Sequence, residues 1–261
     1  LTRVEPEIRQ SIERVFVWNG STKVFLAMAK YLEDKINLQP DTRLGDVRVI
    51  LVVEDSIKYY SRYLPLLYTE IMTQTQAIID GEPRDDETTL ILRMRARPKL
   101  ILVSTYEDAV AIIDKYRDNI IGVISDVRYA RNGVEDEDAG VSLIRHVQSL
   151  DDRIPCLLQS HEIENKKRAE EINARFIDKN SLTLAREIQD FIKNQLGFGD
   201  FIFRDREGRP IDRATCIEEF RRKLATIPDE SLEYHAIRNG ISTWLMARGE
   251  INLAKKLRRY S

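Results

Sequence analysis

Short runs rich in Val and Ile alternate along this chain with stretches of helical periodicity, and that alternation restricts the fold more than any other feature. The apolar runs are Val47–Val53, Lys99–Thr105, Ile120–Ser125, Ile154–Ser160 and Ala174–Lys179. The helical stretches are Tyr59–Ile79, Tyr106–Tyr116, Ala139–Leu150, Glu162–Ile172 and Leu182–Leu196. Strands that alternate with helices form a parallel sheet with helices on its faces. The runs are almost continuously apolar, as strands buried on both sides must be. Five strands and five helices within about 150 residues predict an α/β fold with a flavodoxin-like, doubly wound, five-stranded parallel sheet over residues 47–196.

Two connections exceed what a crossover needs. The one before Lys99 carries a polar loop, Gly81–Glu87, and a pattern for extra helical turns over Thr88–Ala96. The one after Asp126 carries the acidic run Glu135–Asp138, expected to be a solvated loop. Two pieces flank the sheet. Residues 1–46 hold a strand-like run, Arg14–Trp18, and a helix, Val24–Ile36. Residues 198–261 read as a small α+β extension. A hairpin pattern spans Asp200–Ala214 around the turn signal Glu207–Pro210, and helices follow near Cys216–Ala225 and Glu230–Ala247.

Composition narrows the class further. The formal net charge is −2, so nothing marks the chain as a general binder of nucleic acid or membrane. No apolar run reaches the ~20 residues that cross a bilayer. The polar start lacks the apolar core of a signal peptide. The two cysteines, Cys156 and Cys216, stand in no metal-type spacing, which suits a reducing, cytoplasmic setting. The chain begins at Leu1 and ends on a charged, helix-like stretch, so a piece of a longer polypeptide is expected.

In an open parallel sheet, functional groups gather beyond the carboxyl ends of the strands. Here those ends carry Glu54 and Asp55, Asp126, Ser160 and Lys179. Three carboxylates at close range need a cation to stay ionised together. Hard oxygen ligands suit Mg²⁺, which also binds phosphate oxygens. A carboxylate beside such a cation can attack phosphorus, and the Ser160 hydroxyl and Lys179 ammonium would stabilise charge on the transferred oxygens.

The segments Leu51–Ser56 (LVVEDS), Val123–Gly133 (VISDVRYARNG), Leu157–Glu162 (LLQSHE) and Phe176–Ser181 (FIDKNS), in that order, resemble the receiver domain of bacterial two-component response regulators. The resemblance implies that Asp126 accepts the phosphoryl group. It also implies that Glu54, Asp55, Asp126 and the backbone carbonyl of Arg128 hold Mg²⁺. Ser160 and Lys179 then contact the phosphoryl group, and Phe176 is the aromatic that changes rotamer on activation. Arg128 and Glu162, two residues beyond Asp126 and Ser160, would flank the route of an attacking water and modulate hydrolysis. The chain departs from the family pattern at Asn180, where Pro is usual, and in the long loop after Asp126, which lacks Met-Pro.

Residues 12–38 and 173–198 share a strand, a polar turn with Ser and an amphipathic helix. Phe16 falls opposite Phe176 and Ser21 opposite Ser181, while Asn19 stands in place of Lys179. On this reading residues 1–46 are the tail of a preceding degenerate receiver-like domain. Segments Gly197–Arg204, Ile227–Glu250 and Ile251–Arg258 are similar to the region after the receiver in large bacterial proteins with a downstream phosphoenolpyruvate synthase or pyruvate phosphate dikinase-type nucleotide-binding region. The stretch around His235 loosely resembles the phosphoaccepting box of sensor kinases, but Ala236 stands where that box has an acid. His235 is therefore expected to be structural, and His146 and His161 to be surface or packing residues.

The expected function is that of a phosphoacceptor receiver in a two-component phosphorelay, not an enzyme in its own right. Its partners would be a histidine kinase or phosphotransfer protein and a C-terminal effector of the same polypeptide, with room for a homodimer. No DNA and no membrane partner is expected, because residues 198–261 carry nearly balanced charge and an apolar helical stripe in place of a basic face. The alternative is a pseudo-receiver that is not phosphorylated and serves as an interaction scaffold. A Mg²⁺ phosphatase of the haloacid dehalogenase type would want its nucleophile after the first strand as DxD, where this chain has Glu54-Asp55-Ser56.

Overall fold

A computed structural model describes residues 12–81 and 97–258. Its centre is a parallel sheet of five strands, β1 (Val49–Val53), β2 (Lys99–Val103), β3 (Ile120–Asp126), β6 (Cys156–Ser160) and β7 (Arg175–Asp178). They are ordered β2-β1-β3-β6-β7. This is the flavodoxin-like order, with its switch point between β1 and β3.

β1 is buried along its whole length. Its side chains alternate, with Ile50 and Val52 entering one core and Val49, Leu51 and Val53 the other. The first core is closed by α1 (Lys23–Gly45), α2 (Ile57–Gly81) and α6 (Leu184–Asp190). The second is closed by α3 (Tyr106–Lys115), α4 (Ala139–Leu150) and α5 (Asn165–Glu171). Each fully buried Val, Ile or Leu contributes about 1.5–3 kcal/mol. Thr105 caps α3 by accepting from the Asp108 amide at 3.2 Å.

The predicted elements differ from the structure in instructive ways. Residues 14–18 form no strand, and the helix after them runs to Gly45, well past Ile36. That helix is keyed to the sheet by Asp34, which is fully buried. Asp34 accepts from Arg97 at 2.6 and 3.1 Å and from the Leu100 amide at 2.9 Å. Tyr31 and Ala27 enter the first core, whereas Val17, Phe25, Met28 and Leu32 stay exposed. The helical pattern over Thr88–Ala96 lies outside the described residues.

The acidic run after Asp126 is no plain loop. β4 (Tyr129–Arg131) and β5 (Val134–Asp136) pair as an antiparallel hairpin. Its turn is Asn132-Gly133, both at positive φ (53° and 76°), the combination a tight hairpin turn requires.

The last helix of the sheet domain, α6, runs into a π-helical turn, Phe191–Gln195, whose side chains Phe191 and Ile192 are buried. From there Leu196 and Phe198 lead the first core into the C-terminal lobe. The lobe begins with the predicted hairpin, β8 (Phe201–Arg204) paired with β9 (Pro210–Ala214). α7 (Ile217–Leu224), α8 (Asp229–Ile237), α9 (Gly240–Ala247) and α10 (Ile251–Arg258) follow. The single helix expected over Glu230–Ala247 is broken at Asn239, which is left-handed at φ 56°. Phe201, Phe203, Phe220 and Trp244 pack as a ring cluster with centroids 4.8–5.6 Å apart. Lys255 bonds Asp46 at 2.6 Å, tying α10 to the end of α1.

Candidate functional site

The carboxyl ends of β1, β3 and β7 bring four of the predicted residues together. Glu54 and Asp55 follow the last residue of β1, Asp126 ends β3 and Lys179 follows β7. Lys179 and Glu54 are both fully buried. The Lys179 ammonium donates to Glu54 Oε2 and to Asp126 Oδ2, each at 2.6 Å. The other Asp126 oxygen accepts from the Val127 amide at 2.7 Å. Both oxygens of the partly exposed Asp126 carboxylate are thus held in a fixed orientation.

Carboxylate oxygens of Glu54, Asp55 and Asp126 all lie within 4.8 Å of one another. Burial pushes the Glu54 carboxyl up to about 8, reinforced by Asp126 and opposed by Lys179. Asp55, on the surface, is also raised, by partial desolvation and by Asp126. One ammonium therefore leaves the three acids short of positive charge. The donor set is hard oxygen only, and it fits a divalent cation such as Mg²⁺.

Ser160 ends β6, and its side chain is engaged by the segment that follows. Its hydroxyl accepts from the Glu162 amide at 3.1 Å and from Asn165 at 3.0 Å. Phe176 lies half-buried in β7, opposite Leu158 and against the second core. Arg128 and Glu162 meet across the rim at 3.0 Å. Arg128 also lies 3.7 Å from Glu135 and 3.8 Å from Glu137, on and just after the hairpin. No peptide among the described residues is cis, including the one after Lys179. His235 is a packing residue, set 4.6 Å from the Phe201 ring and accepting from the Arg204 amide at 3.1 Å. His161 is exposed. His146 faces Asp114 at 3.3 Å near the surface.

Several contributors carry no sequence signature of a site. Tyr59 places its ring 4.3 Å from the Lys179 ammonium and stacks on Tyr63. The Tyr63 hydroxyl is buried without a hydrogen-bond partner among the described residues, and burial together with Glu54 raises its titration far above the usual range. Gln159 donates to Glu54 at 3.3 Å, and Arg62 donates to the Lys179 carbonyl at 3.1 Å. The hairpin alone had a signal, the Asn132-Gly133 dipeptide between two β-prone runs.

No family model matches the chain, and no curated protein matches it. Among solved structures, it is similar to the phosphorylated cyanobacterial phytochrome response regulator RcpA, at 14% identity and a TM-score of 0.38. That likeness covers 57% of this chain and 94% of RcpA. It is also similar to the Mn²⁺-bound form of response regulator Rcp1, at 17% identity and a TM-score of 0.33, over 56% of this chain and 92% of that one. The expected likeness to proteins with a downstream phosphoenolpyruvate synthase-type region gains no support from these comparisons. Among the described residues no helix is long and apolar enough to cross a membrane.

Proposed function

We propose that residues 47–196 are a phosphoacceptor receiver that takes a phosphoryl group onto Asp126 and regulates an attached effector. The observation that carries this reading is the buried Lys179 ammonium bonded at 2.6 Å to both Glu54 and Asp126 beneath a partly open carboxylate. Asp126 is oriented by Lys179 and by the Val127 amide, so little reorganisation precedes attack. A carboxylate oxygen forms the new bond to phosphorus. The bond from phosphorus to the donor breaks, and the electron pair leaves with the donor, a phosphohistidine nitrogen or the carboxylate oxygen of acetyl phosphate. Lys179 then pairs with the phosphoryl oxygens, and Ser160 reaches them by turning from Asn165. Mg²⁺, held by Glu54, Asp55, Asp126 and the Arg128 carbonyl, would supply charge neutralisation on those oxygens. Phe176 would follow Ser160 in the switch. The partners in this reading are a histidine kinase or phosphotransfer protein and a C-terminal effector, in a cytoplasmic setting.

The test is acetyl phosphate with Mg²⁺, read by intact mass. The chain should gain one phosphoryl group and Asp126→Asn should gain none. Equal labelling of the Asn variant, or none of the parent, overturns the assignment. Residues 198–261 are read as the coupling element, because Leu196 packs against Gly122 in β3 and leads straight into the lobe. Hydrogen exchange with beryllofluoride and Mg²⁺ should change protection over 182–202, and a change confined to residues before Leu196 would reject the coupling.

A further inference from the structure

At the opposite end of the sheet from Asp126, a cleft of about 990 Å³ separates the starts of β6 and β7 from the C-terminal lobe. Arg175 lines it from the sheet, Lys193 from the π turn, and Arg204 and Arg238 from the lobe. None of these four has a carboxylate partner among the described residues. The contrast within the β8–β9 hairpin is direct. Arg206 pairs with Glu233, Arg209 with Asp205 and Arg213 with Asp200, while Arg204, the hairpin arginine that faces the cleft, bonds only the Gly208 carbonyl. The fifth cation of the lining, Arg153, is tied to Asp151.

The acids of the lining do not cancel this charge. Asp200 is engaged by Arg213, and Asp152 and Glu170 are exposed at the rim. Arg175, Lys193 and Arg204 are half-buried. The first turn of α9 adds Gly240 and Thr243 to the wall, and the Ser242 hydroxyl of that turn donates to the Asn239 side chain. The positive end of the helix dipole favours an anion there. A second sign is electrostatic. The buried imidazole of His235, in the same wall, is pushed down to about 4 by burial first and then by Arg204 and Arg238, so both guanidiniums act on one small volume.

We infer that this cleft binds a small ligand carrying two or more phosphate groups. Guanidinium forks match phosphate oxygens in pairs, and four unpaired cations exceed what one monoanion needs. The volume suits a ligand of nucleotide size. Such a ligand would bridge the sheet and the lobe, remote from Asp126.

Calorimetry on the full chain in EDTA, without Mg²⁺, tests this with inorganic triphosphate and with ATP as probes. Both should bind. Tighter binding of ATP would mark a nucleotide as the source, and equal binding would mark the phosphate chain alone. The pair Arg204→Ala/Arg238→Ala should weaken affinity about tenfold or more. Arg206→Ala, on the same hairpin but paired outside the cleft, should not. Arg175→Glu gives an independent loss from the sheet side, should the lobe variant fail to fold. The midpoint of the His235 imidazole titration, followed by NMR, should move to higher pH as the probe fills the cleft. Absence of binding by the parent at millimolar probe, or equal binding by the lobe and sheet variants, overturns the inference.

Discussion

Replacing Glu54 by Gln should stabilise the metal-free protein at alkaline pH. Glu54 is fully buried, and its carboxyl is pushed from 4.5 up to about 8, chiefly by burial. A group whose folded pKa is raised lends its stability in full below the unfolded value, and that stability drains away as pH rises through the folded one. For Glu54 the window runs from 4.5 to about 8. A shift of that size corresponds to a ceiling of about 5 kcal/mol. Water entry and side-chain movement raise the effective dielectric and reduce this to about 2 kcal/mol. For a chain of this length that is a rise in Tm of about 4–8 °C at pH 8. Lys179 keeps its bond to Asp126 in the variant. Thermal unfolding of both proteins in EDTA from pH 5 to pH 9 checks the reasoning. The curves should coincide near pH 5 and separate towards pH 8, with the variant higher. Added Mg²⁺ should reverse the order, since the parent binds it better and gains stability by mass action. Equal Tm values in EDTA at pH 8 would refute the argument.

Gly140→Ala should distort the loop after Asp126, because a Cβ there runs into the Asp126 carbonyl oxygen and lies 2.9 Å from Val127 Cα. The expected loss is about 2 kcal/mol or more in urea unfolding, with slower labelling by acetyl phosphate. Arg128→Ala should shorten the half-life of the phosphorylated form by opening the rim that Arg128 and Glu162 close at 3.0 Å. Stability should change by less than about 1 kcal/mol, since the pair is partly exposed. Phosphate release after removal of the donor measures it. His235, whose pKa is lowered to about 4, contributes stability that is complete above 6.5 and is lost as pH falls from 6.5 through 4. His235→Gln should flatten that part of the Tm–pH curve.

The sheet was legible because its signal is redundant. Each strand is an almost unbroken apolar run, and burial on both faces admits few other patterns. The acids, Lys179 and Ser160 were legible because they sit where strands end. What the sequence conceals is whatever depends on a neighbour far along the chain. Tyr59 reads as one more apolar residue in α2, and only the fold sets its ring over Lys179. Asp34 reads as a polar residue on an amphipathic helix. Its burial against Arg97 and the Leu100 amide explains why the flanking segment packs into the first core.

The acidic run shows the same limit from the other side. Glu135–Asp138 by composition is a solvated loop, because four consecutive carboxylates repel one another and favour water. Asn132-Gly133 overrides that preference by supplying the two left-handed residues of a hairpin turn. The hairpin then carries Glu135 to within 3.7 Å of Arg128, and Glu137 follows at 3.8 Å. Arg128 thereby faces carboxylates from two elements, the hairpin and the Glu162 loop. A long loop that would expose Asp126 becomes, through one dipeptide, a wall beside it.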